Sequence, residues 1–366
     1  MTRRRREPGR RPAPLRWAPA LAMLLLAACS TPPSPAHVPA PVATSAPASP
    51  ISAPPPSPAA ADLTLAFAGD VHFTGRTAGL LKDPATAIGP MTQVLAGADL
   101  AVVNLESAVT TRGTPEPKEY HFRAPSTAYD ALKAAGIDAV TIANNHALDY
   151  GRVGFADTLD AASATGMPVF GGGRNIDEAY KPLLLTVRGV HIALLAFSQI
   201  HTLADEWKAG PSTSGIAMAW DVQRAVAAVR TARTEADLVI VFNHWGTETV
   251  TCPNNDQKSF AKSLADAGAD LIIGAHAHVL QGDGWLGRTY VAYGLGNFVW
   301  YVGQAETGVL RVQVHGRDAV SAELSPALVA SNGQPKPVTG SAAGTQLKRF
   351  ADLRRCTGLA ATPSPT

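Results

Sequence analysis

Side chains that bind metals or transfer protons cluster in five short windows of this sequence, each directly after an apolar run. The windows hold carboxylate, imidazole and amide groups and five of the ten histidines in the chain. Imidazole and carboxylate groups bind Mn²⁺, Fe or Zn²⁺, and an amide oxygen can complete a mixed ligand set. A single histidine after a strand is more often a hydrogen-bonded surface residue, but five such windows together predict a metal site. They are residues 70–72, 104–106, 144–146, 243–244 and 274–278.

Two windows carry pairs of residues two positions apart. In an extended segment such residues point to the same side, so Asp70 with His72, and His276 with His278, are expected to face one site. The full set exceeds the needs of one ion, and two metals about 3.5–4 Å apart are the economical interpretation. The candidate groups are Asp70, His72, Glu106, Asn145, His146, His244, His276 and His278.

The elements that must position these groups are alternating strands and helices. From residue 62 onward, short apolar β-rich runs alternate with helical stretches, which is typical of an α/β domain. The ligand crevice of such a sheet lies beyond the carboxyl ends of the strands, where the windows fall. We expect one helix after Ser126, one over residues 221–232, and one from Asp256 to a stop at Gly268.

A short pattern, Ala-Gly-X-Asp, occurs three times between a helical stretch and an apolar run. The copies are residues 96–99, 135–138 and 267–270. Their unequal spacing excludes a solenoid repeat and indicates a recurring turn from helix to strand.

The first 28 residues have the layout of an export signal, with basic residues before an apolar run too short to span a membrane comfortably. The run ends in Leu-Ala-Ala-Cys, which resembles a bacterial lipobox, in which Cys29 would be acylated. An ordinary cleaved signal and a membrane anchor are the alternatives. We expect an exported lipoprotein held at the outer face of the bacterial cell membrane.

Residues 29–61 follow as a tether, because the stretch after Cys29 is built almost wholly of Pro, Ala, Ser and Thr. Residues 1–28 carry seven basic and one acidic residue, which leaves 24 basic against 28 acidic residues in the rest. A mildly acidic protein gives no indication of nucleic acid as a partner. The main domain is predicted over residues 62–330, and residues 331–366 as a tail with a short helix.

Two further cysteines, Cys252 and Cys356, form an even pair in a compartment that tolerates disulfides. We predict that they are bridged. Two unpaired thiols at unrelated positions are the alternative.

Taken in order, the windows resemble the ligand blocks of calcineurin-like metallophosphatases. Further blocks narrow the resemblance to the CapA, or poly-γ-glutamate capsule-synthesis, branch over about residues 63–300. These blocks are Asn-Leu-Glu-Ser at 104–107, Tyr-His-Phe-Arg-Ala-Pro at 120–125, Asn-His-Trp-Gly-Thr-Glu at 243–248 and Gly-Asn-Phe at 296–298. The resemblance implies a four-layer α/β/β/α sandwich.

Position by position, the resemblance also implies a ligand set. One metal would take Asp70, His72 and His278, and Glu106 would bridge to the other. The second metal would take Asn145, His244 and His276. Most of the superfamily has Asp at the bridging position, so the longer Glu106 favours the CapA branch and weakens the transfer of phosphoesterase activity.

Two residues beside the windows are candidates for the chemistry itself. His146 follows the ligand Asn145 and is a candidate proton donor to the leaving group, the alternative being that it only orients Asn145. Arg123 is a candidate two-point clamp for a phosphate or carboxylate, and a surface ion pair is equally compatible with the sequence.

Three functions are compatible with this pattern. The first is a metal-dependent hydrolase acting on an envelope phosphoester or an amide-type polymer linkage. The second is a non-catalytic assembly or export factor that binds an anionic capsule polymer such as poly-γ-glutamate, within a capsule synthase complex. The third is a structural lipoprotein with a decayed site, which the intact ligand windows disfavour.

Overall fold

The computed structural model describes residues 62–365. The predicted signal peptide, the lipidation site Cys29 and the tether lie outside the described residues. Within that range, no α-helix has both the length and the apolar character needed to cross a membrane.

Eighteen strands and eight α-helices occur within the described range. The strands are β1 (Asp62–Val71), β2 (Leu100–Leu105), β3 (Ala108–Val109), β4 (Arg123–Ala124), β5 (Ala139–Thr141), β6 (Val169–Phe170), β7 (Gly172–Gly173), β8 (Leu183–Val187), β9 (Val190–Ser198), β10 (Gly215–Ile216), β11 (Leu238–Trp245), β12 (Leu271–His276), β13 (Leu280–Leu286), β14 (Thr289–Leu295), β15 (Asn297–Val299), β16 (Glu306–His315), β17 (Asp318–Val329) and β18 (Pro335–Pro337). The helices are α1 (Thr92–Ala96), α2 (Thr127–Ala134), α3 (Gly151–Thr165), α4 (Ile176–Tyr180), α5 (Ala204–Trp207), α6 (Val222–Glu235), α7 (Asn255–Ala267) and α8 (Gly340–Leu353).

Two large sheets carry the fold. The eight-stranded sheet has the order β18-β17-β16-β1-β2-β5-β6, with β15 added beside β1. The six-stranded sheet has the order β13-β14-β12-β11-β9-β8. In each sheet the central strands run parallel, β1-β2-β5-β6 in the first and β9-β11-β12-β14 in the second. Their carboxyl ends therefore form one edge of each sheet, where a ligand site is expected.

Successive side chains of each strand face opposite sides of its sheet, and this alternation forms the layers of the fold. Leu65 and Phe67 of β1 join Ile240 and Phe242 of β11 in one buried cluster between the sheets. The intervening residues of each strand face outward and pack against helices. The helix residues in these outer clusters are Tyr129, Leu132 and Phe155 on one side, and Val229, Phe260 and Leu264 on the other. The expected four-layer α/β/β/α sandwich is thus confirmed.

Helix ends follow the predicted chemistry with two corrections. Ser126 precedes α2 as expected, but its side chain makes no capping hydrogen bond. Asp221 caps α6 by accepting a hydrogen bond from the Arg224 N–H at 3.1 Å. Helix α7 begins earlier than predicted, because Asn254 rather than Asp256 is its cap and forms a reciprocal capping box with Gln257. Gly268 ends that helix at φ 108°, a conformation that suits glycine.

The Ala-Gly-X-Asp pattern has a structural explanation. Each aspartate opens a parallel strand, and its carboxylate accepts a hydrogen bond from a main-chain N–H of a neighbouring strand. Asp99 accepts from Thr64 N at 2.8 Å, Asp138 from Ala101 N at 2.7 Å and Asp270 from Val239 N at 2.8 Å. The aspartate of each pattern therefore provides a hydrogen-bond acceptor for a main-chain N–H group at the amino-terminal edge of both sheets.

The segment after residue 330 is part of the domain, which corrects the expected boundary. Residues 331–365 belong to the same compact unit as residues 62–330. Strand β18 pairs with β17, and α8, longer than the predicted short helix, packs on β13 and β17. A disulfide joins Cys252 to Cys356, with 5.7 Å between their Cα atoms.

Candidate metal centre

The carboxyl ends of the central strands bring the predicted windows to one place. Asp70 lies near the end of β1, where its Cα pairs in register with Asn104 of β2 and Asn297 of β15. His244 lies near the end of β11, and His276 is the last residue of β12. The two sheets thus supply different chemistry, with carboxylates from the first and most of the imidazoles from the second.

Glycines let these strand ends approach each other. A Cβ atom at Gly69 would lie 1.8 Å from the main-chain oxygen of Gly296, and one at Gly274 would lie 1.9 Å from that of Tyr293. Such distances exclude any side chain at either position unless the backbone shifts. The residue before Asp70 and the residue two before His276 are therefore required to be glycine by packing.

Short contacts link side chains that are far apart in the sequence. His244 Nε2 lies 2.6 Å from Asn145 Oδ1, 3.1 Å from His276 Nδ1 and 3.5 Å from Glu106 Oε1. His278 Nδ1 lies 3.3 Å from Asp70 Oδ2. His72 joins the same pocket, because its ring and that of His278 both contact Trp300, at 4.3 and 4.5 Å between centroids. All seven predicted ligands therefore converge.

The backbone conformation that brings His276 and His278 together differs from the predicted one. An extended segment was expected, but His276 has φ 85° and His278 has φ 57°. Positive φ is uncommon for residues other than glycine and often marks functional sites. Tertiary contacts hold this turn, since the His276 N–H donates to Asp70 Oδ2 at 3.1 Å.

Unpartnered polar atoms show that these residues fit a cation. Both carboxylate oxygens of Glu106 and the Nε2 atom of His72 are buried without a hydrogen-bond partner among the described residues. A buried carboxylate is costly unless it is paired or binds a metal. Two groups of donors lie within 4.8 Å of one another, Glu106 with His276 and His278, and Asp70 with Glu106 and His244. Glu106 belongs to both groups, but each group combines residues that the family resemblance assigns to different metals, so the division of the ligands between two ions stays a prediction.

Burial and neighbouring charges set the protonation of the cluster. Burial lowers the pKa of His72 and that of His244 to about 3, so both rings are neutral at physiological pH, the form that binds metal. Burial, reinforced by the Asp70 charge, raises the pKa of Glu106 well above its usual value. Burial would lower the pKa of His278, but the carboxylates of Glu106 and Asp70 outweigh it and raise that pKa to about 9. The residues suit divalent metal binding.

The ordered motifs and this geometry agree with a known family. The sequence profile described as bacterial capsule synthesis protein PGA_cap matches residues 64–301. The chain belongs to this family. The resemblance to the CapA branch, drawn from the motifs alone, is thereby confirmed.

Two relatives show how far the PGA_cap similarity reaches. The capsule biosynthesis protein CapA of Bacillus anthracis is 35% identical over 61% of this chain and 55% of its own length. The PGA biosynthesis protein CapA of Bacillus subtilis is 33% identical over 58% of this chain and 56% of its own. The chain thus spans about half the length of the curated relatives it matches. A phosphatase of Mycoplasma pneumoniae of solved structure is 15% identical, covering 74% of this chain and 94% of its own at a TM-score of 0.46.

Beside the metal ligands, this PGA_cap protein has a buried His-Asp-Lys cluster. His146 Nδ1 lies 2.6 Å from Asp149 Oδ2, and His146 Nε2 lies 3.8 Å from Glu106 Oε1. Lys118 forms an ion pair with Asp149, at 2.6 Å between Nζ and Oδ1, and donates a hydrogen bond to the main-chain oxygen of Asn145. Burial raises the pKa of Asp149 to about 7, although the Lys118 charge opposes that shift. One ring nitrogen of His146 is thus held while the other faces the ligand pocket.

Sequence reasoning missed the roles of Asn104, Lys118 and Asp149. The Asn104 amide donates to Asp70 Oδ1 at 2.7 Å and lies 3.2 Å from His244 Nδ1, so it orients two ligands from different sheets. Asp149 stands three residues after His146, a spacing that places both in one turn and was an available clue. Lys118 lies in a loop with no local pattern, and nothing in the sequence indicated its place.

Arg123, the predicted clamp, is exposed on β4, and its guanidinium lies 4.3 Å from the centroid of the Tyr150 ring. It makes no ion pair within residues 62–365, so the surface ion pair is not seen and the clamp stays a prediction. Trp245 is a core residue, with its indole N–H bonded to the Tyr293 oxygen at 2.8 Å.

Proposed function

We propose that this protein is a metal-dependent hydrolase of phosphoester or related bonds, working in capsule or poly-γ-glutamate synthesis. One observation carries the proposal: among the residues that the structure describes, the fully buried Glu106 carboxylate has no hydrogen-bond partner on either oxygen, and imidazoles and carboxylates surround it. The ligands are those assigned from the family, with Glu106 shared between two divalent ions (Mn, Fe or Zn). Divalent cations held there would polarise the bond to be cleaved and lower the pKa of a water molecule.

His146 is the proton donor in this proposal. Its Nε2 atom faces the ligand pocket, while Asp149 holds Nδ1 and thereby fixes the plane of the ring. Lys118 in turn fixes Asp149 and the main chain at Asn145. The imidazolium form of His146 would give its Nε2 proton to the leaving group and become neutral, while Asp149 would accept from Nδ1 and keep the ring oriented. Burial lowers the pKa of His146 well below its usual value, so the ring would have to take up that proton before each transfer.

The test compares two histidine variants loaded with Mn²⁺ or Zn²⁺ and assayed on bis(p-nitrophenyl) phosphate. We expect His146→Ala to lower kcat by about 100-fold or more, in the range of general acid catalysis, with metal content unchanged. His315→Ala is the matched control, because that imidazole is exposed and distant in sequence from the windows. Full metal content in the wild type without turnover of phosphoesters or γ-glutamyl amides would instead favour the assembly factor that binds an anionic capsule polymer.

We also propose that the protein is exported and held by a lipid on Cys29 at the outer face of the cell membrane. Support comes from the lipobox-like residues 26–29 and from the Cys252–Cys356 disulfide, which suits an oxidising compartment. Its partners there would be an envelope phosphoester or anionic polymer and a capsule synthase complex. Cys29→Ser should abolish labelling with radioactive palmitate and release the protein from the membrane fraction, whereas Ser30→Ala should do neither.

A further inference from the structure

The ring of Phe122 lies between two histidine rings of the site. It stacks on His72 with 4.3 Å between centroids and 11° between planes. On its other face it stacks on His146 at 3.9 Å and 14°. Trp300 meets the Phe122 ring edge-on at 5.5 Å, so the stack is closed from the side. A metal ligand and the proposed proton donor are therefore separated by one aromatic ring.

The main chain of Phe122 is fixed to the same group as His146. Its N–H donates to Asp149 Oδ2 at 2.5 Å, and that oxygen lies 2.6 Å from His146 Nδ1. The Phe122 carbonyl accepts a hydrogen bond from Ala108 N at 3.1 Å. The main chain that carries the ring is therefore tied to the acceptor that orients His146.

We propose that Phe122 is a positioning residue, which holds the His72 and His146 rings parallel and at a fixed separation. The role in catalysis rests on the proposed function of His146, whereas the role in metal binding rests on the stacking geometry. Flat contact on one face restricts rotation of each imidazole about its χ2 bond. His72 Nε2 and His146 Nε2 are thereby kept directed at the ligand pocket.

Replacing the ring by an aliphatic side chain should affect both histidines. We expect Phe122→Leu to lower the affinity for Mn²⁺ or Zn²⁺ about 10-fold, measured by competition with a chelator, as loss of an orienting partner does. It should lower kcat about 10-fold and leave KM within twofold, because Phe122 orients the proton donor. Phe122→Tyr keeps the ring and should restore metal affinity and kcat.

A matched control separates positioning from stability. Phe260 is a buried phenylalanine in the outer helix layer on the other side of the molecule, so Phe260→Leu removes the same ring from a core without touching the site. It should lower the melting temperature and leave metal affinity and kcat unchanged. Equal losses of metal affinity in Phe122→Leu and Phe260→Leu would overturn the proposal.

A spectroscopic measurement on the metal-free protein tests the stack without any assay. The ring current of Phe122 should shift the carbon-bound ring protons of His72 and His146 upfield in NMR spectra. The shift should vanish in Phe122→Leu and persist in Phe122→Tyr. Unchanged histidine shifts in a folded Phe122→Leu protein would overturn the proposal even if the hydrolase activity stands.

A double variant tests whether Phe122 acts through His146. In a His146→Ala background, Phe122→Leu should cause no further loss of kcat, since the group it positions is gone. A full additional 10-fold loss would contradict that route. If the wild type hydrolyses nothing, the proposed function fails, while metal affinity and the histidine shifts still decide the role of Phe122.

Discussion

Both edges formed by the ends of the parallel strands hold a buried carboxylate. The carboxylate at one edge is fully hydrogen-bonded, and the one at the other edge is not. At the amino-terminal edge, Asp270 is bonded to Arg233 at 2.5 Å, to Arg317 at 3.0 Å and to the Val239 N–H at 2.8 Å. At the carboxyl edge, Glu106 is fully buried and neither oxygen has a partner among residues 62–365. Residue type and burial are alike, so hydrogen-bond satisfaction is what distinguishes a structural carboxylate from a functional one.

The largest effect that this comparison predicts is on stability, at the satisfied edge. Asp270→Ala should lower the free energy of unfolding by about 3 kcal/mol, because it leaves a buried strand N–H and the mostly buried Arg233 without their acceptor, whereas the exposed Arg317 can turn to water. Metal content should not change. Urea denaturation of the metal-free protein measures the loss, and the exposed Asp266, paired with Lys262, is the control, for which about 0–1 kcal/mol is expected.

At the carboxyl edge, a substitution should affect metal binding more than stability. Glu106→Gln should weaken metal binding by about 100-fold, equal to about 2.8 kcal/mol, because a neutral amide replaces the shared ligand. The metal-free variant should be at least as stable as the wild type, since its carboxylate had no partner to lose. Calorimetric titration with Zn²⁺ and thermal melts check both halves, with the exposed Glu323→Gln as control. A large loss of metal-free stability would break the comparison.

A bound metal ion should supply the partner that the Glu106 carboxylate lacks, and should therefore stabilise the protein. At a free concentration 100 times the dissociation constant, a bound ion should stabilise the wild type by about 2.7 kcal/mol. The gain should fall to about 0.4 kcal/mol in Glu106→Gln, where that concentration only equals the weakened dissociation constant, and should be complete in Asp270→Ala. Melting curves with Mn²⁺ or Zn²⁺, and again after EDTA, measure the difference. Equal gains in the two variants would contradict the distinction between the edges.

The smallest effect concerns a single strand-edge hydrogen bond. Asp138→Ala removes the acceptor of the Ala101 N–H and should cost about 1 kcal/mol of stability. Activity on bis(p-nitrophenyl) phosphate should stay within twofold. A drop in metal content in this variant would show that the amino-terminal edge is not merely structural.

Much of the fold followed from sequence patterns that are local. Short apolar runs that alternate with helical stretches already implied an α/β domain, and the Ala-Gly-X-Asp turns marked three strand starts. The boundary at residue 330 was wrong because the strand and helix beyond it are stabilised by pairing with β17 and packing on β13. A Pro- and Gly-rich stretch does not itself show that it will pair with a distant strand.

The sequence by itself determined which residue types stand at the strand ends and in which order, and hence the family, whose resemblance predicts the ligand set. The tertiary structure alone decided that Glu106 lacks a partner, that His276 and His278 adopt positive φ, and that Phe122 lies between His72 and His146. The reason is physical. Strand ends and turns are set by a few neighbouring residues, whereas contacts between side chains from different strands and loops depend on how two twisted sheets pack and in which register.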